Sequence, residues 1–182
     1  TPIMVNDNLI DFTITPTEPG QPAKVTWRPQ SAVVPVDVHV ETVAASEPLT
    51  ATFRNGSGQS VILSGKIPAG HKPVVRVIEV ADPTAFARSL FIEALTRAGV
   101  SVDGSPLAER PQGTLPARDE VAKLPRVASL KSPPYADFAR LILKVSHNLH
   151  ASTQPLLLAT KYGKQSLEDG LHVQRDVLRR LG

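Results

Sequence analysis

Leu9-Ile10-Asp11-Phe12-Thr13-Ile14-Thr15 alternates: Ile10, Phe12 and Ile14 fall on one side of the chain, Asp11 and Thr13 on the other. A period of two is the pleat of a β-strand, and it gathers the apolar set on one face of a sheet. The pattern recurs in Ala23–Arg28, where Ala23, Val25 and Trp27 alternate with Lys24 and Thr26. It recurs again in Val34, Val36, Val38 and Val40, separated by Pro35, Asp37 and His39. Proline has no N–H to give to a ladder, so Pro35 predicts an edge strand there. Leu49–Arg54 and Ser60–Ser64 flank Asn55-Gly56-Ser57-Gly58, a hairpin signal of the longer-loop type. Pro73–Val80 gives one more strand.

The apolar period then changes to that of a helix. Asp82 is an N-cap candidate and Pro83 takes the first helical position. Phe86, Leu90, Phe91, Ala94 and Leu95 are expected to form one apolar face, with Gly99 as the stop. Val100–Val102 is read as a further short strand. Beyond it, Pro106, Pro111, Pro116, Pro125, Pro133 and Pro134 punctuate a loop-rich stretch. Phe138, Leu141, Ile142 and Val145 then share a helical face. A second helix is expected up to Tyr162, ending at Gly163, with Pro155 in its first turn or kinking it. A third starts at Ser166, with Asp169 three residues on as a capping partner. The fold class is α+β. The expected domains are a β-rich one with one packed helix over 1–104, a proline-rich connector over 105–134 and a helical segment over 135–182.

Composition bounds the function. The chain has 182 residues, 41% hydrophobic and 20% charged, enough for a packed core. No apolar run approaches the ~20 residues a membrane span needs. Residues 1–30 show no basic start followed by an apolar core, so no signal peptide is read there. Without cysteine there is no disulfide scaffold, no thiol nucleophile and no Cys-ligated metal. Aromatic residues, at 4%, are too few for a platform that stacks single-stranded nucleic acid. Residues 1–104 carry 8 Lys and Arg against 10 Asp and Glu, and residues 105–182 carry 12 against 7. The basic residues are scattered, which reads as a solvated face and not as a nucleic-acid footprint.

Few motifs carry chemistry. His147 and His150 are three apart, but no Glu or third His stands near enough for a zinc site. They read as two partly exposed histidines, and no metal or cofactor is expected. Asn55-Gly56-Ser57-Gly58 lacks the lysine and the strand–loop–helix setting of a phosphate loop. There is no G-x-S-x-G elbow. Ser146-His147-Asn148, directly after the amphipathic helix that ends at Lys144-Val145, stands apart. S-x-N triplets recur in serine enzymes that act on D-Ala-D-Ala peptides and β-lactams. The serine hydroxyl can relay a proton toward the leaving amine, and the asparagine amide can hold a substrate carbonyl in line for attack.

The surroundings of the triplet extend the likeness. Val5-Asn6-Asp7-Asn8-Leu9, Thr15-Pro16 and Gly20-Gln21-Pro22-Ala23 resemble the start of the domain inserted in class C penicillin-binding proteins, the D-Ala-D-Ala carboxypeptidase/endopeptidases. Val40-Glu41-Thr42-Val43, Ser64-Gly65-Lys66-Ile67-Pro68 and Asp82-Pro83-Thr84-Ala85-Phe86-Ala87 resemble later parts of it. Leu143-Lys144-Val145-Ser146-His147-Asn148-Leu149 resembles that family's second active-site motif, and Gly170-Leu171 with Leu178-Arg179-Arg180-Leu181-Gly182 the helix that follows.

The resemblance implies a serine-type peptidase of peptidoglycan stem peptides, periplasmic or otherwise extracytoplasmic, acylated by β-lactams. It makes Ser146 and Asn148 the site residues. No serine here has a lysine three residues later, and K-T-G is missing. The family's nucleophile motif lies upstream and its third motif downstream, so the chain reads as a middle fragment, inactive alone. Lys161-Tyr162-Gly163 only superficially resembles the third motif and is expected to be a helix end. Helices that lack their sheet are expected to expose apolar surface and to favour self-association. The alternatives are a non-catalytic peptidoglycan- or protein-binding module and a degenerate scaffold homologue; an upstream S-x-x-K in the full gene product separates the enzyme from both.

Overall fold

The computed structural model describes residues 3–108 and 116–182, apart from the Arg118 side chain. The chain divides into two compact units, Thr1–Leu115 and Pro116–Gly182. Pro111 of the connector lies outside the described residues.

The first unit is β-rich. A left-handed turn over Asn6–Asn8, with φ of 50°, 55° and 58°, leads into it. Asn and Asp accept this conformation better than other L-residues, and Asn6 Nδ2 donates to the Leu9 carbonyl at 2.9 Å. Strand β1 (Leu9–Thr15) lies between β2 (Lys24–Arg28) and β6 (Val74–Glu79), antiparallel to both. In the second sheet β5 (Val61–Pro68) lies between β3 (Val36–Val43) and β4 (Thr52–Asn55). Here β4 runs antiparallel to β5, whereas β3 runs parallel to it. The edge position of β3, predicted from Pro35, is observed. Its free side is partly covered by the loop before β2: Gly20 N–H donates to Thr42 O and Ala23 N–H to Val40 O, both at 2.8 Å.

The alternation in β1 places Ile10, Phe12 and Ile14 in the core, none more than 1% exposed. Val40, Leu63 and Ile67 meet them from the other sheet. Phe12 stacks on Trp27 at 6.0 Å and packs against Phe53 at 4.8 Å, which ties the two sheets together.

Helix α1 (Pro83–Arg97) closes this core. Asp82 caps it as expected, accepting from the N–H groups of Thr84 and Ala85 at 3.0 Å. The buried face differs from the expected one. Phe86, Ala87 and Ser89 are buried, whereas Phe91 is 65% exposed. On a 3.6-residue wheel Phe91 lies about 140° from Phe86. The position that completes the buried stripe is Glu93. One of its carboxylate oxygens accepts from Ser89 Oγ at 2.7 Å, from Ala32 N–H at 2.9 Å and from Ser31 Oγ at 3.3 Å. That carboxylate pins α1 to the loop before β3. Glu93→Ala is expected to lower the stability of this unit by about 1–3 kcal/mol, because Ser89 and Ala32 lose a charged acceptor. Urea unfolding followed through Trp27, the single tryptophan, measures it; an unchanged midpoint contradicts the pinning role.

The expected strand at Val100–Val102 does not form. Gly99 takes φ 81°, and the Val100 N–H is used up in a bond to the Leu95 carbonyl that ends α1. A donor turned back on its own helix cannot serve a ladder. Arg88 Nη1 instead holds the following loop through the carbonyls of Ser105, Pro106 and Ala108, at 2.7–3.2 Å.

The second unit is helical. A single turn, α2 (Arg118–Val121), precedes α3 (Tyr135–Val145), α4 (Asn148–Lys161) and α5 (Leu167–Leu181). Ser166 caps α5, accepting from Asp169 N–H at 3.0 Å. Gly163, at φ 71°, follows α4, with Lys164 N–H bonded back to Ala159 O at 2.8 Å. Lys161-Tyr162-Gly163 is therefore a glycine-terminated helix end, as expected. Pro155 is not in the first turn of α4. It sits at the eighth position and is buried, where its missing N–H leaves the Ala151 carbonyl without the usual helix partner. Helix α5 passes close to this point with Gly170, which has no Cβ to strike the Pro155 carbonyl. Among the described residues of this unit Ile142 and Ala159 are the only buried hydrophobic side chains, while Leu143 is 81% and Leu181 79% exposed. Among the described residues no helix is long and apolar enough to cross a membrane.

Candidate active site

Ser146, His147 and Asn148 form the elbow between α3 and α4. Helix α3 ends because Ser146 adopts the left-handed conformation, φ 53° and ψ 49°. His147 N–H then donates to Ile142 O at 3.0 Å and Ser146 N–H to Leu143 O at 3.4 Å. This is the Schellman pattern, whose left-handed residue is usually glycine. A serine there costs about 1 kcal/mol against glycine. Strain of this kind persists only where the surroundings over-determine it, and it gathers at functional sites.

The next helix starts at once. His147 is the N-cap of α4, its Nδ1 accepting the His150 N–H at 3.3 Å. Asn148 is the first residue inside α4. The turn thus separates the three side chains by role: Ser146 and Asn148 are exposed, and His147 is half-buried.

The histidine pair is built as a stack. The rings of His147 and His150 lie 4.1 Å apart at 26°, and His150 packs on Phe138 of α3 at 5.0 Å. Two further bonds close the elbow. Tyr135 Oη donates to Gln154 Oε1 at 2.6 Å, and Gln154 Nε2 donates to His150 O at 2.7 Å. Tyr135, Phe138 and Gln154 were not legible as site-supporting residues. Phe138 and His150 are separated by a helix break, and only the fold-back of α4 on α3 brings them together.

The left-handed serine has a separable consequence. Ser146→Gly is expected to stabilise the chain by about 1 kcal/mol, since glycine takes this conformation without the Cβ penalty, while deleting the hydroxyl. Denaturant midpoints of the two chains read this; a lower midpoint for the glycine variant contradicts the strain.

The chain is thus α+β, with an S-x-N elbow held between two helices. Comparison with known proteins shows the family it belongs to. Residues 1–182 match the model of the D-Ala-D-Ala carboxypeptidase 3 (S13) family, and the chain belongs to that family. It is 30% identical over 142 residues to the D-alanyl-D-alanine carboxypeptidase of Actinomadura sp. (strain R39), an alignment covering 78% of this chain and 25% of that protein. It therefore spans about a quarter of the length of that relative. Its fold is similar to that of penicillin binding protein 4 (dacB) from Haemophilus influenzae, with a TM-score of 0.61 at 18% identity over 99% of this chain and 39% of the other.

Proposed function

We propose that this chain supplies the S-x-N element of a serine D-Ala-D-Ala carboxypeptidase that acts on peptidoglycan stem peptides outside the cytoplasm and is acylated by β-lactams. The observation that carries the reading is the Ser146-His147-Asn148 elbow, exposed and conformationally strained, in a chain of this family. In this scheme an acyl-enzyme forms on a serine of an S-x-x-K motif outside these 182 residues, with that lysine as base. Ser146 Oγ passes a proton to the leaving amine, and the Asn148 amide holds the carbonyl of the residue before the penultimate D-Ala, which keeps the scissile bond in line. The β-rich residues 1–104 then form the inserted domain, and 135–182 belong to the catalytic one.

The test is release of D-alanine from a peptide ending in D-Ala-D-Ala. The full-length protein that carries this chain is expected to release it and the 182-residue chain alone is not. A full-length protein that releases none contradicts the reading. The exposed leucines of α3 and α5 further support apolar self-association of the isolated chain. It is expected to bind a hydrophobic dye and to run above its monomer mass of 19.5 kDa; a strictly monomeric chain that binds no dye contradicts this.

A further inference from the structure

We propose that the ring stack Phe138–His150–His147 is a positioning element for Ser146 and Asn148, an inference that rests on the function proposed above. The elbow needs an external hold, because its pivot is a serine in a conformation that serine disfavours. The backbone bonds that end α3 fix where the chain turns, but not the direction in which α4 leaves. That direction is set by contacts between the helices. Of these, the Phe138–His150 pair at 5.0 Å lies beside the turn, and His147 extends it at 4.1 Å onto the residue between Ser146 and Asn148. The stack thus joins the α3 side of the elbow to the backbone of the triplet itself. The Tyr135–Gln154–His150 bonds hold the same carbonyl end of His150 from the outside. A tilt of α4 displaces Asn148 relative to Ser146, and small misplacements of positioning groups are costly to rate.

What the stack needs from position 150 is a flat ring; the cap of α4 uses only the backbone N–H of that residue. His150→Phe keeps the ring, whereas His150→Leu keeps apolar bulk and loses it. In the full-length protein, acylation by labelled penicillin is expected to stay within about twofold of wild type in His150→Phe and to fall about tenfold in His150→Leu. Phe138→Leu, which breaks the other end of the stack, is expected to behave as His150→Leu does and serves in its place where that variant does not fold. Equal rates in His150→Phe and His150→Leu, or a wild-type rate in both leucine variants, overturn the inference. Ser146→Ala measured alongside separates the two levels. If it loses acylation while the leucine variants keep it, only the stack's role fails. If it acylates normally, the proposed function fails and the inference with it.

Discussion

Ser146→Ala and Asn148→Ala are each expected to lower the acylation rate of the full-length protein about a hundredfold or more, the usual scale for losing a proton relay or a substrate-positioning group. Alanine at 146 keeps the Cβ, so the left-handed turn keeps the strain it has with serine, and the loss reports the hydroxyl. Asn148 is the first residue of α4 and its side chain is exposed, so its removal leaves the core of the unit untouched. His147→Ala is the internal control. It deletes the cap of α4, worth about 1 kcal/mol, and one ring of the stack, so a smaller loss is expected. The 182-residue chain alone is expected to take up no label: no serine in it has a lysine three residues on, and a hydroxyl without a base is a weak nucleophile. Rates from labelled penicillin, followed by gel fluorescence, measure all four. Stoichiometric labelling of the chain alone, or wild-type rates in Ser146→Ala, contradict the roles assigned.

The second large effect is one of stability. Gly170 is buried in α5 where that helix crosses α4, and a Cβ built on it overlaps the backbone carbonyl of Pro155. A flexible side chain could move aside; a backbone carbonyl in the middle of a helix cannot do so without shifting the helix. Replacing an interior helical glycine by alanine ordinarily gains about 1 kcal/mol of propensity. Overpacking costs about 1–3 kcal/mol and more where the backbone must move, so the sign reverses here. Gly170→Val, which adds two further methyl groups and β-branching, is expected to cost about 3 kcal/mol or more. With only Ile142 and Ala159 buried among its described hydrophobic residues, this unit has little reserve. The expected result is loss of hydrogen-exchange protection along α4 and α5, with the β1 amides unaffected. Undiminished protection in Gly170→Val contradicts the close crossing.

How much the sequence disclosed follows from how local each signal was. The strands were legible because Ile10, Phe12 and Ile14 record their own face at every second residue. The parallel pairing of β3 with β5 was not, since alternation states a face and no partner. Asp82, Gly99, Gly163 and Ser166 announced helix ends because a cap is chemistry within four residues. Phe91 misled because an aromatic residue one position from Leu90 invites inclusion in the apolar face, while the wheel gives the inward position to Glu93, satisfied by partners some sixty residues away. Val100–Val102 misled because apolar β-branched residues promise a strand, yet their first N–H was already spent on ending a helix. The close approach of α5 to the Pro155 carbonyl was not legible either, because it depends on Gly170 in another helix. At the site, Ser146 and Asn148 were legible as residue types at a fixed spacing. The left-handed pivot and the ring stack that braces it arise from the turn between two helices, which the triplet alone does not encode.

The most direct test of the central claim is a structure of the full-length protein acylated by a penicillin. The account predicts the Asn148 amide within hydrogen-bond distance, about 3 Å, of the carbonyl of the ligand's acylamino side chain. It also predicts Ser146 Oγ within the same reach of the nitrogen released from the β-lactam ring. A ligand bound covalently with both Ser146 and Asn148 facing only solvent would contradict it.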